Sequence, residues 1–318
     1  MKILKKHIIF YSYLFSLVLI FHFVNGNSQD PIFSQFYNNF LQINPAFAGS
    51  QDYNRAYIQY RNQWPAMGDA YVTYCSGYDQ YVEKLHGGIG FNIMRDVIAN
   101  GLMSSLSADF IYSFHFRVTK SIEAKTALQT SYINRGLNLS SAVYPDIQEN
   151  IPSGSISTID FSAGTLITFN KSLVIGMAFS HLPNNFFISD PALRIPMKIT
   201  LHAAKEIIPK SNAFTINPSI IFQKQGNTAQ TNYGLYLDKK PICVGIWIRQ
   251  NSFLYFSALI FSLGYSVEAF KIDYSYDFNL FRSLNLFNFG AQEISFIYKF
   301  GYKNTPKKRM QAIKCTKI

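Results

Sequence analysis

Side chains that could act as a nucleophile, a general base or a metal ligand are scattered along this sequence. Four histidines follow the first 28 residues, and none has a metal-binding spacing such as HExxH: His86, His115, His181 and His202. The chain also contains no GxSxG or SxxK nucleophile motif. We therefore predict a protein that is not an enzyme and that needs no metal or cofactor. A lipid hydrolase-like barrel is the enzymatic alternative.

Glycine and cysteine motifs also give no sign of a reactive site. The stretch Gly87-Gly88-Ile89-Gly90 is too short for a phosphate-binding loop and has the composition of a strand. The cysteines Cys75, Cys243 and Cys315 are far apart and form no CxxC pair. We expect the first two to be small apolar residues in strands, and the sequence leaves open whether any disulfide forms.

Charged residues recur at every second position, opposite apolar ones. Between Phe270 and Phe278, one face carries aromatic and aliphatic side chains and the other carries Lys271, Asp273, Ser275 and Asp277. Such alternation predicts strands with two different faces. The charged face is predicted to point inward as a network that fills or wets a lumen, with a selectivity or docking surface as the alternative. Its members are Glu123, Lys125, Asp160, Lys198, Arg249, Lys271, Asp273, Asp277, Glu293 and Lys299.

Turn signals divide the chain into about fourteen such strands, an even number. The predicted strands start near Arg55, Ala70, Leu85, Leu102, Ser121, Ser157, Ser172, Met197, Phe214, Thr228, Ile242, Leu254, Phe270 and Ala291. Many have about ten residues, the length that crosses a bilayer when a strand is tilted. The two longest connections are predicted at Leu139–Ile156 and Leu182–Pro196, and long loops belong on the extracellular side of a bacterial barrel.

Composition supports the same fold class. Charged residues make up only 15%, aromatic residues make up 16%, and the mean hydropathy is +0.03, too low for a bundle of membrane helices. We predict an all-β fold: a closed antiparallel transmembrane β-barrel over residues 55–302. A soluble β-sandwich is the alternative, and it is disfavoured because nearly every strand has an apolar face and none reads as a short edge strand.

The positive charge of the chain is concentrated at its two ends. Of the net charge of +11, three units lie in residues 1–28 and six in the basic C-terminal tail, residues 303–318, so the part between carries only +2. This distribution gives no support for a nucleic-acid partner. Residues 1–28 have the basic, apolar and small-residue regions of a secretory signal peptide, with cleavage expected after Ser28. An uncleaved anchor helix is the alternative for this segment, and contact with anionic lipid is the alternative to a solvated tail.

Residues 29–54 alternate poorly and are rich in aromatic residues, so they are predicted to form an ordered, irregular lead-in on the periplasmic side of the barrel. Three motifs lie here and just after: FSQFY from Phe33, NPAFAGS from Asn44 and YRNQWP from Tyr60. Together with Gly87–Gly90 and Gly290–Ser295, they resemble the PorP/SprF-like outer-membrane proteins of the type IX secretion system in Bacteroidota. The resemblance covers nearly the whole chain after the signal peptide.

The resemblance implies an outer-membrane role in type IX protein secretion and in the gliding or adhesion machinery built on it. Its implied partners are outer-membrane lipids, lipoprotein or periplasmic components of the secretion system and a large secreted adhesin, while the PorP-like and SprF-like branches stay open. A passive porin or small-solute channel is the alternative function. Eight motif residues are candidates for partner binding or for a structural role: Asn44, Pro45, Phe47, Gly49, Arg61, Asn62, Trp64 and Pro65.

Overall fold

The computed structural model describes residues 30–65, 70–138, 154–182, 194–209, 214–251, 255–280 and 290–302. Fourteen antiparallel strands close into a barrel, each paired with its neighbours in sequence, and the first strand pairs with the last. The predicted fold class and strand number are therefore confirmed. Among the described residues, no helix is long and apolar enough to cross a membrane.

Every predicted strand start lies within three residues of an observed one. The strands are β1 Asn54–Gln63, β2 Tyr71–Val82, β3 Gly87–Ile98, β4 Met103–Arg117, β5 Ile122–Leu137, β6 Gly154–Phe169, β7 Leu173–Ser180, β8 Lys198–Lys205, β9 Thr215–Gln225, β10 Thr228–Lys239, β11 Ile242–Asn251, β12 Tyr255–Ser266, β13 Phe270–Asn279 and β14 Ala291–Phe300. Closure is set by ten residue pairs between β1 and β14, from Asn54↔Phe300 to Gln63↔Ala291. A closed sheet has no free edge, which is the condition for a sheet in lipid.

The two faces of each strand match the alternation in the sequence. In β14, Ile294, Phe296 and Tyr298 are exposed on the outside, while Glu293 and Lys299 are buried inside. Nine of the ten charged residues predicted to point inward are buried, and Arg249 is nearly so. Outward apolar side chains of this kind suit contact with lipid, so the alternation that defines the strands also separates the lipid-facing side of the wall from the lumen.

The two ends of the barrel differ in the length of their connections. At one end, β2–β3, β4–β5, β6–β7, β10–β11 and β12–β13 are joined by two to four residues and β8–β9 by nine, and β1 starts and β14 stops there. At the other end lie the long connections 138–153, 181–197 and 280–290. We call these the short-turn end and the long-loop end. Bacterial barrels place their short turns in the periplasm and their long loops outside the cell.

Residues 30–50, which we call the luminal segment, lie inside the barrel. The segment contains a one-turn α-helix, α1 (Phe40–Ile43), and a 3₁₀ turn at Pro45–Phe47. Its aromatic residues join two buried clusters with inward side chains of the wall, such as Phe36 with Trp247 and Phe47 with Leu166. The hydrophobic core of this protein is therefore the contact between the luminal segment and the barrel wall.

This position corrects the expectation of a periplasmic lead-in. Asp30 contacts Lys198 and Gln225 at the long-loop end, whereas Gly49 contacts Asp79 close to the short-turn end. The segment thus runs the length of the lumen before β1 begins. The physical reason is that its buried side chains, polar and apolar, find partners only on the inward face of the wall. The predicted signal peptide, the C-terminal tail with Cys315 and most of both predicted long loops lie outside the described residues.

Candidate functional site: the luminal segment and its contacts

Four charged side chains of the wall converge on Ser34 of the luminal segment, and we call them the charged clamp: Arg61, Arg249, Asp277 and Glu293. Arg61 forms ion pairs with Asp277 at 3.0 Å and with Glu293 at 3.1 Å, and Arg249 forms one with Asp277 at 2.8 Å. The clamp contains two positive and two negative side chains. A buried charge is tolerated when it is paired and hydrogen-bonded, so this balance is what allows the cluster to exist inside the barrel.

Ser34 is bonded to every member of the clamp. Its backbone N–H donates to Glu293 at 2.7 Å and its hydroxyl donates to Asp277 at 2.6 Å. The same hydroxyl oxygen accepts from Arg61 at 2.6 Å and from Arg249 at 2.7 Å. The backbone N–H of Gln35 donates to the second oxygen of Glu293 at 2.9 Å. The clamp therefore holds the backbone of the segment and not only one side chain.

A second polar cluster continues the clamp towards the short-turn end. The amide nitrogen of Asn38 donates to Asp273 at 2.9 Å and to Ser295 at 2.7 Å, and its carbonyl oxygen accepts from Lys271 at 2.8 Å. Lys271 also pairs with Asp273, and both are almost fully buried. Strands β13 and β14 thus hold residues 34–38 through charged and polar side chains.

The NPAF turn, Asn44–Phe47, is held on the opposite side of the lumen by uncharged groups. The side-chain amide of Asn44 donates to the backbone oxygens of Thr165 at 2.9 Å and Met177 at 3.2 Å. Its carbonyl oxygen accepts from the N–H of Ala46, which caps the 3₁₀ turn. The ring of Phe47 lies 5.2 Å from that of His202.

The chain leaves the NPAF turn through a close approach of two backbones. Gly49 adopts a φ of +64°, and a Cβ at Gly88 would lie 1.9 Å from the backbone oxygen of Ala48. The N–H of Gly49 donates to Asp79 at 3.1 Å, and Asp79 is paired with Arg55 at 2.8 Å. Glycine is required at both positions because a side chain at either would meet backbone or adopt a strained conformation.

The first described residue of the segment is anchored at the long-loop end by a cluster that we call the latch: Asp30, Asp160, His181 and Lys198. The two ring nitrogens of His181 lie 2.9 Å from Asp160 and 3.0 Å from Asp30, and Lys198 donates to Asp30 at 2.6 Å. Burial by itself would lower the pKa of His181, but Asp30 and Asp160 outweigh burial and raise it to about 9. Burial would raise the pKa of Asp30, but Lys198 and His181 hold it well below its usual value. His181 and Asp30 are therefore both charged at neutral pH.

Two cavities remain around the luminal segment near the long-loop end. One, of about 530 Å³, has residues 30–32 and the arginines of the clamp among its lining, with Trp64, Asn251 and Asn279 nearer the rim. The other, of about 130 Å³, lies against β3–β6 and is lined partly by Asp96, Asp109 and Arg135. Among the described residues, no group of three or more His, Cys, Asp or Glu side chains is arranged so that it could hold a metal ion.

The structure distributes the eight sequence-predicted site residues among three places. Asn44, Pro45, Phe47 and Gly49 lie together in and just after the NPAF turn, where all four are buried. Arg61 lies in the charged clamp. The remaining three lie at the end of β1 or beyond it: Asn62, Trp64 and Pro65.

The residues beyond β1 form part of the rim at the long-loop end. Trp64 has a φ of +59°, donates its N–H to Gly290 at 3.0 Å and packs its ring 5.1 Å from Tyr71. Asn62 donates to Tyr60 at 3.3 Å. A left-handed backbone is uncommon for so large a residue as tryptophan, and such strain is concentrated at functional positions.

Sequence reasoning missed several members of the site. His181 and Asp30 are 151 residues apart, so no spacing in the sequence indicates the latch. Ser34 and Asn38 offered a signal that could have been used. They are polar residues within an aromatic stretch, and a stretch with that many aromatic residues must be buried against something.

One family model matches residues 25–298, and its description is type IX secretion system membrane protein PorP/SprF. The chain belongs to the PorP/SprF family. The resemblance of the FSQFY, NPAFAGS and YRNQWP motifs is thereby confirmed, and the protein is an outer-membrane component of the type IX secretion system. In this family member, the matched region includes the luminal segment, the first thirteen strands and all but the last two residues of β14.

No curated protein matches this PorP/SprF chain. Among solved structures, it is similar to the outer membrane protein Omp33 of Acinetobacter baumannii, at 7% identity over 79% of this chain and 100% of that one, with a TM-score of 0.48. It is also similar to the CymD monoaromatic hydrocarbon channel (11% identity, 86% and 94% coverage, TM-score 0.49). It is similar as well to a Pseudomonas aeruginosa FadL homologue, at 11% identity over 82% of this chain and 93% of that one, with a TM-score of 0.46. Likenesses at this level carry no information on what this chain does.

Proposed function

We propose that this PorP/SprF protein is a filled, non-catalytic barrel that docks partner proteins of the type IX secretion system and supports the export or surface retention of adhesin-like clients. The observation that carries the proposal is the luminal segment, which occupies the lumen from the long-loop end to the region of the short-turn end. A passive porin needs an open, water-filled lumen. Here the same space contains two apolar clusters and a buried set of ion pairs.

The long-loop end is the face that we propose for client docking. The larger cavity opens there, and its floor is formed by residues 30–32 together with Arg61 and Arg249. Its rim includes Trp64, and tryptophan and arginine are the residue types most enriched where binding energy is concentrated. The luminal segment supports this face from below, because the clamp and the latch fix its first residues at the same level of the barrel.

The test is to delete the gene in its native host and to compare secreted and surface proteins by mass spectrometry, alongside a gliding assay. The proposal predicts the loss of one or more large secreted or surface proteins while the other outer-membrane proteins stay at their normal levels. A plasmid copy carrying Trp64→Ala and a copy with the wild-type sequence provide the matched comparison for the rim. An unchanged set of secreted and surface proteins in the deletion strain would contradict the secretion role.

A further inference from the structure

The outer wall of the barrel has one outward charge that lies well inside a strand. Across the described strands, Arg95 of β3 is the one outward-facing charged side chain more than one residue from a strand end. Lys205, Lys224 and Lys239 also point outward, but they lie at the last or next-to-last residue of their strands. A charge on the lipid face is costly away from the interfaces, so its presence needs a reason.

The position of Arg95 gives its depth in the membrane. It lies three residues before the end of β3 at Ile98, which is at the long-loop end. At a rise of about 3.3 Å per residue in a tilted strand, its Cα is roughly 7–8 Å from that strand end, measured along the barrel axis. A long arginine side chain can extend from there to the headgroup layer while its stem stays in hydrocarbon.

Below Arg95, an apolar groove of about 580 Å³ crosses the outside of β1, β2 and β3 and reaches β13 and β14. Its floor is the small side chain Ser76, which pairs in register with Ile58 on one side and Ile93 on the other. Ile58 and Ile93 are 59% and 54% exposed, so the groove is open to the membrane. Its apolar side chains suit an acyl chain lying along the wall.

Two tyrosine rings lie in the same row as the charge and line the groove with it. Arg95 pairs in register with Tyr74, and the ring of Tyr74 lies 5.3 Å from that of Tyr60. These residues form the row next to the Ser76 row, on the side of the long-loop end. Tyrosine rings favour the boundary between hydrocarbon and headgroups. From the long-loop end, a row with one cation and two tyrosines is therefore followed by the row of Ile58, Ser76 and Ile93, which matches the order of headgroup region and acyl chain in a lipid.

Arg95 is available for an external anion. None of the ion pairs within the described ranges involves it, whereas Arg55, Arg61, Arg117 and Arg249 each pair with a carboxylate. A guanidinium binds phosphate through two parallel hydrogen bonds, which makes it suited to a phosphate headgroup.

We propose that this face of the barrel is a binding site for one membrane lipid with an anionic phosphate headgroup, held by Arg95, with an acyl chain in the groove over Ser76. The orientation assigns the lipid to the leaflet at the long-loop end. The site is on the opposite face of the wall from the luminal segment and does not depend on the proposed secretion role.

The test uses the full mature chain purified in detergent, with native mass spectrometry against phosphatidylglycerol and against diacylglycerol of the same acyl chains. Wild-type protein is expected to bind phosphatidylglycerol roughly tenfold more tightly, the size of one charge-assisted hydrogen bond. Arg95→Gln should reduce this preference to within about twofold, and Arg95→Lys should keep part of it. Lys224→Gln removes an outward charge elsewhere on the wall and should leave the preference unchanged.

The groove is tested separately from the headgroup. Ser76→Phe fills the floor of the groove with a bulky apolar side chain on the lipid side of the wall, and it should weaken binding of both lipids. Equal binding of the two lipids by wild-type protein, or a preference that survives Arg95→Gln, would overturn the proposal. Photo-cross-linking from position 93 in cells shows whether a lipid or a protein occupies the groove. A cross-link to a protein instead of a lipid would make this face a protein-docking surface and would also overturn it.

Discussion

The luminal segment is held in two different ways on its two sides. On the side of β1, β11, β13 and β14, the charged clamp binds Ser34 through four side chains, two basic and two acidic. On the side of β6 and β7, the NPAF turn is held by amide hydrogen bonds, aromatic packing and close backbone contact. The clamp depends on charge balance and the turn depends on shape. The two sides should therefore respond differently to substitution.

The largest effect is expected at the clamp. Arg61→Met leaves Asp277 and Glu293 buried with less compensation, and breaking a buried pair in this way costs about 3–5 kcal/mol. We expect the luminal segment to become sensitive to protease and the thermal unfolding midpoint to fall. Arg117→Met is the matched control, because Arg117 pairs with Glu123 but its side chain is 45% exposed. That pair should contribute less than about 1 kcal/mol. Equal effects of the two substitutions would show that the clamp does not hold the segment.

A substitution next to the NPAF turn should act through shape. Gly88→Ala places a Cβ 1.9 Å from the backbone oxygen of Ala48, and neither backbone can yield easily. Overpacking of this kind costs about 1–3 kcal/mol. Urea unfolding of the reconstituted barrel measures this loss in the free energy of unfolding. Gly154→Ala is the control, since a Cβ there meets nothing within 4 Å. A neutral Gly88→Ala would mean that the segment does not lie against β3 in the membrane.

Asn44→Ala should have a smaller effect, because it removes neutral hydrogen bonds without creating a clash. The amide of Asn44 bonds two wall carbonyls, and a net hydrogen bond contributes about 1 kcal/mol. Hydrogen exchange at residues 44–48 should quicken more than exchange at residues 34–38. Asn134→Ala, which removes a bond to Ser157 at an exposed position, should alter neither region. Uniform exchange along the segment after Asn44→Ala would contradict independent anchoring of the two sides.

The latch should give a local effect at the start of the luminal segment, and the only one of the four that is set by pH. The pKa of His181 is raised to about 9 in the folded protein, above an unfolded value of about 6.5. Its contribution is therefore complete below about pH 6.5 and is lost as the pH rises through about 9. Hydrogen exchange corrected for intrinsic rates should show residues 30–33 opening across this range, while residues 44–48 stay protected. His181→Gln should abolish the pH dependence, and an unchanged profile in that variant would assign it to other groups.

The wall was largely predictable from the sequence and the lumen was not. Alternation in a strand such as β14 reports which side chains face lipid, and that is a local property of neighbouring residues. The luminal segment depends on contacts between residues far apart, such as Ser34 with Asp277, and no periodicity records them. Its aromatic residues correctly indicated an ordered segment. The prediction that it lies in the periplasm was wrong. A segment that is surrounded by the barrel wall shows no alternation in its sequence, so its burial there could not be recognised.

The eight motif residues also divide into features that the sequence predicts and contacts that only the structure shows. Arg61 is a candidate for partner binding or for a structural role, and in the structure it bonds Ser34 of the luminal segment. The partner-binding alternative for the rim residue Trp64 stays a prediction. The buried motif residues of the luminal segment could be singled out as candidates from the sequence alone. The partners of those residues required the closed barrel, which brings β1 beside β14.

The central claim is that the luminal segment fills the lumen of the native protein. The most direct test is ion conductance in planar lipid bilayers, comparing the wild-type chain with a variant that lacks residues 30–50 and with Arg61→Met. The wild-type barrel should be electrically silent, the deletion variant should open a steady channel, and Arg61→Met should open intermittently. A steady conductance of the wild-type protein equal to that of the deletion variant would contradict the account and favour a passive porin.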